Sequence, residues 1–95
     1  MKYIDWDEEK NRKLKEDRGV SFEEVLILIQ EEKIIEVIDH PNQKRYPGQK
    51  IFVVIIDDYV YMVPFVEDEE KYFLKTIIPS RKMTKKNLKK GGEIK

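Results

Sequence analysis

The stretch "KIFVVIIDDYVYMVPFV", residues 50–66, constrains the fold more than any other part of the chain. Lys50–Ile56 is apolar at both odd and even positions after its first residue, so as a strand it must be covered on both faces. That makes it a central strand. Asp57 and Asp58 form a tight hairpin turn, and residues 59–66 return beside the first strand. Pro64 has no N–H to give to a ladder, which favours an edge or a bulge at that point.

The flanking segments supply what such a sheet needs. Residues 2–6, "KYIDW", read as a short strand. Asp7 caps a helix with Glu8 and Glu9 in its first turn, running to about Arg18 and stopping at Gly19. Its interior is nearly all polar, with Leu14 the one large apolar residue, so it belongs on the surface. "VSFEEVLILIQEEK" opens with a capping box, Ser21 with Glu24, and a staple between Val20 and Val25. Phe22, Val25, Leu26 and Ile29 recur at helical spacing and face the core, in a helix ending near Glu32. Residues 33–39 form a strand, and 40–49 a loop punctuated by Pro41, Pro47 and Gly48. Residues 67–70 turn, and 71–78 form the last strand, ended by Pro79. Ser80 caps a final basic helix that stops at Gly91 and Gly92. The expected fold is α+β, a mostly antiparallel sheet packed with helices in the order β-α-α-β-β-β-β-α. The expected core is Phe22, Val25, Leu26, Ile29, Phe52, Val54, Tyr61, Val63, Leu74 and Ile78. At 95 residues the chain reads as one domain over 1–90 with a flexible tail over 91–95.

Charge is unevenly distributed in a chain that is neutral as a whole. Residues 1–80 hold 12 basic and 18 acidic side chains, whereas 81–95 hold seven basic residues and one acid. Such a split suits a polyanion or an acidic protein as partner. With no cysteine, disulfides and thiolate metal sites are excluded. His40, the single histidine, stands beside Pro41 at the start of a loop, and a metal site needs three or four ligands, so no metal or cofactor is expected. No apolar run approaches a membrane span or a signal segment, so the expected location is cytoplasmic, with no membrane contact.

Common enzyme signatures are missing: there is no phosphate loop, no GxSxG and no HExxH. What remains is a basic and aromatic set: Trp6, Lys10, Lys13, Arg18, Lys50, Tyr61, Tyr72, Lys75, Arg81 and Lys82. These residue types fit metal-independent RNA cleavage, in which the 2′-OH attacks the adjacent phosphate. Arg and Lys neutralise the developing charge, a Lys or Tyr relays protons, and aromatic rings hold unstacked bases. Taken singly, Trp6, Tyr61 and Tyr72 read better as core packing.

Two motifs carry a resemblance. "IDWDEEK" with "RGVSFEEV", within residues 4–25, resembles the opening of BrnT-type toxins: a strand ending in Trp-Asp, a lysine four residues after the Trp, then Gly-Val-Ser-Phe-Glu-Glu. "LKTIIPSRKMTKK", residues 74–86, resembles their closing Ile-Ile-Ser-Ala-Arg-Lys-Ala-Thr. The resemblance implies a RelE-like fold, ribonuclease activity in a type II toxin–antitoxin pair, and a ribbon-helix-helix antitoxin that alone would contact DNA. It implies Arg81, Lys50 and Lys10 as catalytic residues and Lys82 and Trp6 as RNA-binding residues, and the other basic residues Lys75, Arg18 and Lys85 are expected to bind RNA beside them. The chain departs from the family pattern at Arg18, where histidine is common, and at Asp17, Leu14, Thr76 and Asn87. Thr76 stands where an arginine is frequent. That departure motivates an alternative reading, a non-catalytic binding subunit of a DNA-binding autorepressor complex formed with the antitoxin.

Overall fold

The central hairpin forms as its sequence demands in the computed structural model, which describes residues 2–85. Numbered in chain order, its strands are β3 (Lys50–Ile56) and β4 (Tyr59–Glu67), which pair antiparallel from Lys50 opposite Phe65 to Ile56 opposite Tyr59. Asp57 and Asp58 both take positive φ, 52° and 63°, the left-handed pair that matches strand twist in a two-residue turn. Val53 and Val54 point to opposite faces of the sheet and are both fully buried.

The sheet is mixed and has six strands. Its order is β1 (Tyr3–Trp6), β5 (Lys71–Leu74), β4, β3, β2 (Glu36–Asp39), with β6 (Ile78–Pro79) pairing β4 beyond the end of β5. Only β1 and β5 run parallel. Two helices, α1 (Glu8–Arg18) and α2 (Phe22–Gln30), follow β1, and a third, α3, is helical over its described residues 81–85. The α+β class and the element order are those expected. The segment 33–39 pairs as a strand only from Glu36, and α2 ends at Gln30. The expected end of the last helix at Gly91 and Gly92, and the tail over 91–95, lie outside the described residues.

The last strand is not continuous, and Pro64 is the physical reason. Phe65 pairs with Leu74, but Met62 pairs with Ile78. Three steps along β4 therefore answer four steps along its neighbour, which is a β-bulge of one residue. In a strand the N–H and C=O of one residue point the same way. The Pro64 carbonyl accepts from the Lys75 amide (2.8 Å), so its missing N–H also faces that neighbour, and the ladder breaks there. Pro64 thus lies in a central strand, with the bulge in its partner. The extra residue flips the faces that follow: Ile77 is fully buried, and Ile78, expected in the core, is 38 % exposed.

The core lies between the sheet and the helices. It joins Phe22 and Val25 of α2 to Phe52, Val54, Val63, Phe65, Leu74 and Ile77. Ile29 and Tyr61 pack against it only partly buried, and Leu26 is likewise half-buried. The polar α1 does reach inward through Asn11 and Leu14, both buried. The Asn11 side chain accepts from the Phe22 amide (2.8 Å) and donates to Glu23 (2.8 Å), tying α1 to the first turn of α2. Ser21 caps α2 with the full reciprocal capping box.

Candidate functional site

The segment leaving the sheet at β6 is fixed by three backbone anchors. The Ser80 amide donates to the Val60 carbonyl (2.9 Å), and the Val60 amide donates to the Thr84 hydroxyl (2.8 Å). The Ser80 hydroxyl accepts from the Met83 amide (3.3 Å), so Ser80 caps α3 as its sequence implied. Arg81, Lys82 and Lys85 project from this short helical start and are exposed. Arg18, on the last turn of α1, donates to the Ile77 carbonyl (2.6 Å). It follows Asn11 and Leu14 at seven and four residues, so it shares their inward helix face. That contact brings α1 to the bulge, two residues before Pro79.

A second group forms at the other end of the strands. Trp6 pairs with Leu74, Leu74 with Phe65, and Phe65 with Lys50, a single row across the sheet. Lys10 is exposed in the first turn of α1, which follows Trp6 at the end of β1. Trp6 stacks on Phe22 (centroids 5.6 Å apart) and donates to Glu8 (3.2 Å), which is core packing with a satisfied N–H. Phe65 and Val60 are five residues apart on β4, about 16 Å at strand rise. Lys50 and Arg81 therefore belong to opposite ends of the sheet. Lys75 lies between them, its ammonium 5.6 Å from the Phe73 ring. Lys71 covers the same ring at 5.7 Å and Tyr3 at 5.9 Å, a comb of cations and rings on the sheet face away from α1 and α2. Phe73 was not singled out in the sequence; its alternation with Lys71 and Lys75 on one strand was the available signal.

Among the described residues the site cations, like Lys13, Lys44 and Arg45, form no ion pair. Every ion pair among the described residues uses Lys2, Arg12, Lys15, Lys33 or Lys71. Lys10, Arg18, Lys50, Lys75, Arg81, Lys82 and Lys85 have no carboxylate partner among the described residues. A cation without a carboxylate beside it keeps its charge available to a phosphate. The groups with displaced pKa values lie elsewhere and have structural causes. The hydrogen bond from Lys2 to Glu67 raises the ammonium, and that from Lys71 to Asp5 does the same. Asp68 is lowered by the amides of Glu70 and Lys71 in the turn after β4. The Asn11 amide group is the main cause of a lowered Glu23.

The arrangement can bind an extended polyanion at two places, one at each end of the sheet, with Lys75 between them and the rings of Phe73 and Tyr3 beyond the Lys50 row. Among the described residues no three of His, Cys, Asp and Glu converge as metal ligands, and no helix is long and apolar enough to cross a membrane. No curated protein and no solved structure matches the chain. Residues 6–87 match the family model described as ribonuclease toxin, BrnT, of type II toxin–antitoxin system. That span opens at Trp6 and runs through the α3 cations, and by it the chain belongs to the BrnT family of ribonuclease toxins, whose members act on RNA and pair with a protein antitoxin.

Proposed function

We propose that the protein cleaves RNA without a metal, by attack of a 2′-OH on the adjacent phosphorus. The 2′-oxygen bonds to phosphorus as the P–O5′ bond breaks, leaving a 2′,3′-cyclic phosphate and a 5′-OH. The 2′-OH loses its proton and the 5′-oxygen gains one, so no external reactant is consumed. The observation that carries this reading is the anchored cation set at the strand exit, Arg81 and Lys82 on the Ser80 cap, with no carboxylate partner among the described residues. Arg81 neutralises the charge that develops on the phosphorane, because its planar fork holds two phosphate oxygens at once. Lys82 and Lys85 hold the phosphates next to it. Lys50 and Lys10, a sheet length away, grip the strand further along and do not share Arg81's phosphate. The antitoxin is of the ribbon-helix-helix kind, and contact with DNA runs through it.

Purified protein incubated with RNA and a chelator tests the chemistry. Products ending in a cyclic phosphate are expected, and a 2′-deoxy nucleotide at the cut position should block cleavage there. Cleavage that persists at the deoxy position would exclude attack by the 2′-OH. A parent protein that never cuts RNA would favour the binding-subunit reading, to which Thr76 in the bulge already points.

A further inference from the structure

The family reading gives this chain a protein partner but no place for it. The exposed apolar residues mark one. Between α2 and the closed end of the β3–β4 hairpin lies a groove of about 250 Å³ lined by Glu24, Ile27, Leu28, Ile55, Ile56 and Asp57. Ile27 is 51 % exposed and Ile55 39 %. Beside this end of β3 the Ile35 amide donates to the Val53 carbonyl (2.9 Å), and Ile35 is itself exposed. The chain then enters β2, an edge strand on which Val37 is 51 % exposed. Isolated surface isoleucines are ordinary, but several around one groove next to a free strand edge mark an interaction surface.

Charge selects the occupant. Residues 51–70 contain no Lys or Arg, and residues 19–43 contain Lys33 alone, which is paired with Glu31 at 3.2 Å. Glu24 and Asp57 line the groove, Asp58 follows in the turn, and the exposed Glu32 and Glu36 flank the segment that leads into β2. A phosphate backbone is repelled from such a surface, whereas a protein segment carrying Lys and Arg around an apolar stripe is complementary to it. We propose that this groove and the β2 edge are the docking site of the antitoxin, through an amphipathic segment whose apolar residues fill the Ile27–Ile55 groove and whose flanking basic residues meet the acidic rim. The proposal rests on the family reading for the existence of the partner and is independent of the cleavage mechanism. The groove shares the hairpin end of the sheet with the strand exit, since Ile55 pairs with Val60, the residue on which Ser80 and Thr84 are anchored.

The test uses the full chain and the antitoxin encoded beside it, with antitoxin affinity by calorimetry and RNA cleavage measured separately. Ile27→Lys, on an exposed helix position, should weaken antitoxin binding at least about 10-fold, as loss of an interface anchor does. It should leave cleavage by the free toxin unchanged. Val37→Lys, on the strand edge, should do the same and guards against a folding defect confined to α2. Binding by the parent should weaken as salt rises. Unchanged antitoxin affinity in both variants would overturn the assignment. So would a parent dimer that both variants convert to monomer at unchanged antitoxin affinity, since the groove would then serve a second copy of the chain. A parent that binds antitoxin but never cuts RNA would sink the cleavage mechanism and leave the docking site standing.

Discussion

Asn11 is a buried polar side chain in a helix that its sequence marks as a surface helix. Its carbonyl oxygen takes the Phe22 amide and its amide group gives to Glu23, so both ends are satisfied and the α1–α2 corner is fixed. Asn11→Ala leaves the buried Phe22 amide without that acceptor and should cost about 1–3 kcal/mol in denaturant unfolding. A cost near zero would mean water replaces the side chain. The same contact sets a pH dependence. Glu23 is held below its ordinary value near 4.5, first by the Asn11 hydrogen bond. A lowered carboxyl contributes stability above its unfolded value, and that contribution is lost as pH falls through the folded one. Glu23→Gln should therefore lose less stability than the parent on acidification from about pH 4.5 downward. Identical acid limbs in the two proteins would show that the pair is not coupled to folding.

At the level of elements, the sequence spoke most clearly where a local rule decides the geometry. The Ser21–Glu24 box, the two-aspartate turn and the Gly19 stop are all local, and all are present. Ser21→Ala should cost about 1 kcal/mol, read from the shift in unfolding midpoint. The bulge was harder to place, because Pro64 shows that a ladder bond is missing but not which strand absorbs it. Residues 71–78 also read as one uninterrupted strand, since nothing in "KYFLKTII" breaks the alternation. Register across β4 decides the matter, and register is a tertiary property. The consequence is measurable. Ile77→Ala should cost about 2–5 kcal/mol, and Ile78→Ala less than about 1 kcal/mol. The reverse order would restore a continuous strand through residue 78. Asn11 escaped notice for a related reason: its spacing of three to Leu14 marks an inward face only once α2 is known to lie against it.

For the whole molecule, the charge asymmetry read from the sequence has a spatial counterpart. Cations without a carboxylate partner among the described residues stand at both ends of the sheet, Lys50 at one and Arg81, Lys82 and Lys85 at the other, and Glu24 and Asp57 line the groove beside α2. The family motifs told which residue types to expect, but motif order along a chain does not say which of them meet. That is why Lys50 and Arg81, expected in one catalytic group, are held at β4 positions, Phe65 and Val60, that lie about 16 Å apart at strand rise. The central claim is that the strand exit, and Arg81 above all, stabilises the charge of RNA cleavage. The most direct measurement compares cleavage rates of Arg81→Ala and Lys50→Ala on one RNA under saturating protein. Arg81→Ala should lose roughly 100- to 1000-fold in rate. Lys50→Ala should cleave at close to the parent rate once bound, with weaker binding and a salt slope reduced by about one. An Arg81→Ala protein that cleaves as fast as the parent would contradict the account.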